Sequence, residues 1–98
     1  MGTYLVERFL PGVPGDELGR IGERSRRACR RLAAEGVHIR YLGSTLVPRD
    51  ESCFCLFEAS SRGEVERANQ EGGLSYVRIS EAVATDERLI RATQEGSK

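Results

Sequence analysis

Val37-His38-Ile39-Arg40-Tyr41-Leu42-Gly43-Ser44-Thr45-Leu46-Val47 and Cys53-Phe54-Cys55-Leu56-Phe57-Glu58-Ala59 stand on either side of Pro48-Arg49-Asp50-Glu51-Ser52. Both flanking runs are rich in β-branched and aromatic residues, and the segment between them has the length and composition of a hairpin loop. Side chains alternate between the two faces of a strand. Val37, Ile39 and Tyr41 therefore share one face and His38 and Arg40 the other, while Cys53, Cys55 and Phe57 separate from Phe54, Leu56 and Glu58. Gly43, a glycine inside a strand, marks a bulge beyond which the faces swap. The hairpin thus has one dry face and one that carries ionisable groups.

Outward from the hairpin, Tyr4 to Phe9 reads as a first strand, stopped by Pro11-Gly12 and Pro14-Gly15. With Asp16 as N-cap, Leu18, Ile21, Ser25, Ala28, Cys29 and Leu32 follow at three-and-four spacing. This predicts an amphipathic helix of about five turns, ended by Gly36. Beyond the hairpin, Ser61 and Glu64 have capping-box spacing, and Val65, Ala68 and Leu74 give a short helix a buried side before Gly72-Gly73 closes it. Tyr76 to Val83 reads as a fourth strand. The order strand, helix, strand, strand, helix, strand is the split β-α-β pattern of the α+β, ferredoxin-like fold. Right-handed crossovers then place both helices on one side of an antiparallel sheet of order 4-1-3-2. Val6, Ile39, Cys53, Cys55, Phe57, Val77 and Ile79 are expected to meet those helices. Residues 1–84 make the domain, and 85–98 a frayed tail, a short helix or an arm that docks on a neighbour.

At 98 residues, 39% apolar and 31% charged, the chain has the composition of a single globular domain. Its 15 basic and 15 acidic residues cancel, and the basic surplus that phosphate binding calls for is absent, so nucleic acid is disfavoured as a partner. No apolar run reaches the length of a membrane span, and Met1 to Phe9 lacks the pattern of a signal peptide. A cytoplasmic location without membrane contact is the expectation. Arg20, Glu23, Arg24, Arg27, Arg30 and Arg31 on the outer face of the long helix read as a solvated surface, since no aromatic side chains interleave them. Cys29, Cys53 and Cys55 have no framework spacing and read as free thiols packed as small apolar groups.

The second sheet face gathers Leu5, Glu7 and Phe9, then His38, Arg40 and Leu42, then Phe54, Leu56 and Glu58, then Arg78 and Ser80. Its apolar members are too many to leave in water, and a homodimer, sheet against sheet, closes it most simply. Antiparallel order brings Glu7 near Arg78 and Glu58 near Arg40 and His38. These groups either form cross-strand or cross-subunit ion pairs, or surround an interface cavity where a carboxylate stays free to bind a cation or move a proton. His38 and Glu58 are the candidate metal ligands. No nucleophile elbow, phosphate loop or two-histidine metal motif is present, and Glu7 and Glu58 fall toward opposite ends of the sheet, which disfavours a paired-carboxylate mechanism.

Tyr4-Leu5-Val6-Glu7-Arg8, Ile39-Arg40-Tyr41-Leu42-Gly43-Ser44, Phe54-Cys55-Leu56-Phe57-Glu58-Ala59 and Arg78-Ile79-Ser80-Glu81, in that order and spacing, give the chain a family resemblance. It resembles, from residue 4 to about 83, a bacterial family of small, largely uncharacterised ferredoxin-like proteins, one branch of which is described as nickel-binding. The resemblance implies a dimeric α/β barrel and, for that branch, a divalent metal such as nickel held by two histidines. One lies in strand two just before the serine and the other in helix two. Gly43 and Ala68 occupy those positions here, and neither has a ligating side chain, whereas Glu7, Arg78 and Glu81 match the pattern. The expected function is a homodimeric protein that binds a metal ion or small ligand at or near the dimer interface, with Glu7, His38, Arg40, Glu58, Arg78 and Glu81 as candidate residues. The alternatives are a small cofactor-independent enzyme of oxygenase or isomerase type, with an apolar pocket on the sheet face, and a pure interaction domain.

Overall fold

β1 (Gly2–Phe9), α1 (Gly15–Ala34), β2 (Ile39–Val47), β3 (Ser52–Ala59), α2 (Arg62–Glu71) and β4 (Arg78–Ala82) follow one another in the computed structural model, which describes residues 1–12 and 15–83. The expected C-terminal tail or short helix lies outside those residues. The sheet runs β2-β3-β1-β4, which is 4-1-3-2 read from the other edge, and every pairing is antiparallel. This is the α+β arrangement that the alternation of the hairpin points to. Tyr4, Val6, Cys53, Cys55, Phe57, Ala59 and Ile79 turn to one face of the sheet and form a single core with Ile21, Cys29 and Leu32 of α1 and Val65 and Ala68 of α2. Among the described residues no helix is long and apolar enough to cross a membrane.

Both helices end in the same way. Val37 N–H bonds the Leu32 carbonyl and Gly36 N–H that of Ala33, each at 3.0 Å. Leu74 and Gly73 repeat the pair on Asn69 and Gln70, so each helix closes in a Schellman motif with glycine at its left-handed position. At the start of α2, Ser61 accepts from Glu64 N–H at 3.4 Å, while the Glu64 carboxylate accepts from Ser60 N–H at 2.8 Å. The capping box is therefore displaced by one residue on its return arm. α1 begins at Gly15, so Asp16 lies inside the first turn with Glu17, where their charges oppose the positive end of the helix dipole, rather than serving as N-cap.

The bulge falls at the expected glycine. Tyr41 opposes Phe57 and Gly43 opposes Leu56, so Leu42 is the extra residue, and Gly43 takes φ +149°. Beyond it Ser44 and Leu46 oppose Cys55 and Cys53 and so face the helices. Val77, expected in the core, is instead 58% exposed: β4 begins at Arg78, two residues later than expected, leaving Val77 in the preceding bend on the sheet's outer edge. All three cysteines are free and buried. Burial holds Cys29 protonated, pushing its thiol up to about 11, and burial together with neighbouring Cys55 pushes Cys53 up to about 12. Neither is an activated nucleophile.

Candidate functional site

Register turns the open face into three rows that cross the sheet from β4 to β2. The middle row is Ser80, Leu5, Leu56 and Gly43. On one side of it lie Arg78, Glu7, Phe54 and Thr45, and on the other Ala82, Thr3, Glu58 and Arg40. An apolar band is thus framed by one ion pair at each end: Arg78 Nε to Glu7 Oε1 at 3.1 Å, and Arg40 Nη2 to Glu58 Oε1 at 3.7 Å. Phe9, at 59% exposure, and Leu42, at 43%, extend the band into solvent.

The expected neighbours meet, but the two acidic residues do not. Glu7 opposes Phe54, four positions along β3 from Glu58, and at about 3.4 Å per residue the two backbone positions are roughly 14 Å apart along the sheet. Glu81 departs from the open-face grouping. It opposes Tyr4, whose side chain turns to the helices, so strand alternation puts Glu81 on the helix side of the edge strand, where it is exposed.

His38 lies just before β2, its carbonyl accepting the Ser60 N–H at 3.3 Å. Its exposed side chain joins Arg40 and Glu58 around a hollow of about 330 Å³, whose apolar wall comes from Met1, Ala33 and Ile39. The hollow opens where the sheet face meets the end of α1. Among the described residues no three His, Cys, Asp or Glu side chains converge as a metal-binding group.

Two features on the helix side escaped the sequence reading. Arg8 is only 2% exposed; its Nη1 donates to the Ser75 carbonyl at 3.1 Å, and Nε and Nη2 have no partner among the described residues. Alternation with Tyr4 and Val6 already carried that signal. Tyr41, half-buried against Phe57 at 5.6 Å between centroids, hydrogen-bonds Ser44, whose hydroxyl meets the Cys55 thiol at 2.9 Å. Burial raises the Tyr41 phenol above its ordinary value. This contact depends on the bulge, which returns Ser44 to the helix face.

SCO4226 from Streptomyces coelicolor A3(2), known from a crystal structure, shares this fold: the two superpose with a TM-score of 0.65 at 16% identity, over 86% of this chain and 99% of that one. No curated protein matches the chain. The family model described as "Nickel responsive protein SCO4226-like" matches residues 4–82, from the third residue of β1 through the last residue of β4. The chain therefore belongs to the SCO4226-like family of nickel responsive proteins.

Proposed function

We propose that the chain acts as a homodimeric ligand-binding protein, with two sheets packed face to face and a small ligand held in the hollow of His38, Arg40 and Glu58 beside that interface. The observation that carries this reading is the apolar band of Leu5, Leu56, Phe54, Phe9 and Leu42, closed off at each end by a neutralised ion pair. Such a band facing water is unfavourable, and a second copy of the same face buries it with closed two-fold symmetry. Light scattering coupled to size exclusion should give the mass of a dimer. Phe9→Glu, at an exposed position, should shift it to monomer without changing the circular dichroism spectrum. A wild-type monomer at every concentration would refute the dimer.

Nickel enters through the family name, and the donor chemistry of one protomer does not fit it. The hollow offers His38 and Glu58, two donors where square-planar Ni(II) takes about four. The cysteines, the softer candidates, are buried in the core. A metal-bound form would need the same pair from the second copy. Native mass spectrometry of untagged protein titrated with nickel separates the ligand classes. One retained ion per dimer, lost in His38→Ala, would support the metal; no uptake leaves an organic ligand.

A further inference from the structure

The arginines of α1 are not equivalent. Arg20, Arg27 and Arg31 pair with Glu17, Glu23 and Glu71 at 3.2, 3.2 and 4.0 Å. Arg24, Arg26 and Arg30 have no ion-pair partner among the described residues, and of these three Arg26 and Arg30 stand beside β2. The sequence explains the difference. Three and four residues from Arg30 stand Arg26, Arg27, Ala33 and Ala34, with no acid, and the one acid in reach of Arg26, Glu23, is bonded to Arg27. Like charges one turn apart on a helix repel, by about 0.2–0.5 kcal/mol for such a pair.

These two guanidinium groups flank a groove of about 490 Å³ between α1 and the edge strand β2, a volume suited to a small molecule. Arg40 lines it from the strand side. Its other lining residues are Cys29, Ala33, Ile39 and Tyr41, so no carboxylate is among them. Arg26 stands 5.9 Å above the centre of the Tyr41 ring, which orients its cation over the apolar floor. The groove combines two guanidinium groups without an ion-pair partner among the described residues, a third, Arg40, already paired with Glu58, and an apolar, partly aromatic base.

We infer that this groove binds a small organic acid with an apolar body, its carboxylate taken by Arg26 and Arg30 and its hydrocarbon or ring laid on Ile39, Ala33 and Tyr41. Guanidinium groups match a carboxylate through two parallel charge-assisted hydrogen bonds, and the apolar body gains by leaving water. The groove adjoins the hollow of His38 and Glu58 and shares Ala33, Ile39 and Arg40 with it. The assignment thus rests on the ligand-binding reading above, supplies its ligand class, and does not require the dimer.

Octanoate, octanol and acetate, titrated separately into the full chain and followed by amide chemical shifts, test it. Octanoate should saturate one site and move the amides of Cys29, Ala33, Ile39 and Tyr41, while octanol, without the charge, and acetate, without the body, bind at least roughly ten-fold more weakly. The double variant Arg26→Gln, Arg30→Gln should lose about ten-fold for octanoate and leave octanol unchanged. Both positions are exposed, so thermal melting of the variant checks that the fold is intact. Equal binding of octanoate and octanol, shifts confined to the open sheet face, or an unchanged affinity in the double variant would overturn the assignment. If His38→Ala abolishes binding while the double variant does not, the ligand sits in the neighbouring hollow and only the groove assignment fails.

Discussion

Arg8 carries its charge to the side of the sheet that the helices cover, with one hydrogen bond to Ser75 and two nitrogens without partners among the described residues. An uncompensated buried ion is costly, and an apolar side chain of similar length removes the cost while keeping the packing of the stem. Arg8→Met should therefore stabilise the fold by about 1 kcal/mol or more, raising Tm by roughly 4–8 °C in thermal denaturation. A fall in Tm would mean that the guanidinium is paired in solution. The thiols act on stability in the opposite sense to a salt-bridged acid. Unfolded, Cys29 and Cys53 ionise near 9.0, but the fold raises them to about 11 and about 12. Across that window the unfolded chain has released protons that the folded chain keeps, so stability falls as pH rises through it. Urea midpoints measured from about pH 8 to pH 11 should decline, and less steeply in Cys29→Ala. The position of Arg8 was legible in strand alternation, whereas its hydrogen bonding depends on what the turn before β4 places beside it.

The elements themselves were legible wherever local chemistry decides them. Ser61 and Glu64 announce α2, Gly36 and Gly73 end the helices, and Gly43 marks the bulge. Ser61→Ala should cost about 1 kcal/mol, read as a lower urea midpoint with an unchanged m-value, because the Glu64 N–H loses its acceptor. The start of β4 was less legible. Val77 continues the alternation and its N–H still bonds the Glu7 carbonyl at 2.7 Å, yet burial on an edge strand depends on whether a helix lies above it. Asp16 failed as a cap for a similar reason: the preceding glycine already has helical geometry, a matter of backbone conformation and not of side-chain type.

For the whole molecule, the sequence showed which residues share the open face but not how α1 sits against β2. The arginine-rich side of α1 reads as a uniform solvated surface; acids one turn away pair Arg20 and Arg27 within the helix, but it is the docking of α1 that sets Arg31 against Glu71 and places Arg26 and Arg30 above the groove. The two proposed associations rest on different forces and should answer differently to salt. Burial of the apolar band should hold the dimer together, or tighten it, between about 0.1 and 1 M sodium chloride, while octanoate affinity in the groove should fall as its charges are screened. Sedimentation velocity and the shift titration, each run at both salt concentrations, check the pair. The edges of the sheet bear on how far association can go. β4 is only five residues long, and β2 is kinked at Leu42 and Gly43 and carries the charge of Arg40. Among the described residues neither rim offers the long, flat ladder of free amides and carbonyls on which further strands could add. Open-ended growth by strand addition is thereby disfavoured at both edges, and the proposed face-to-face dimer, closed by its two-fold symmetry, would end at two chains.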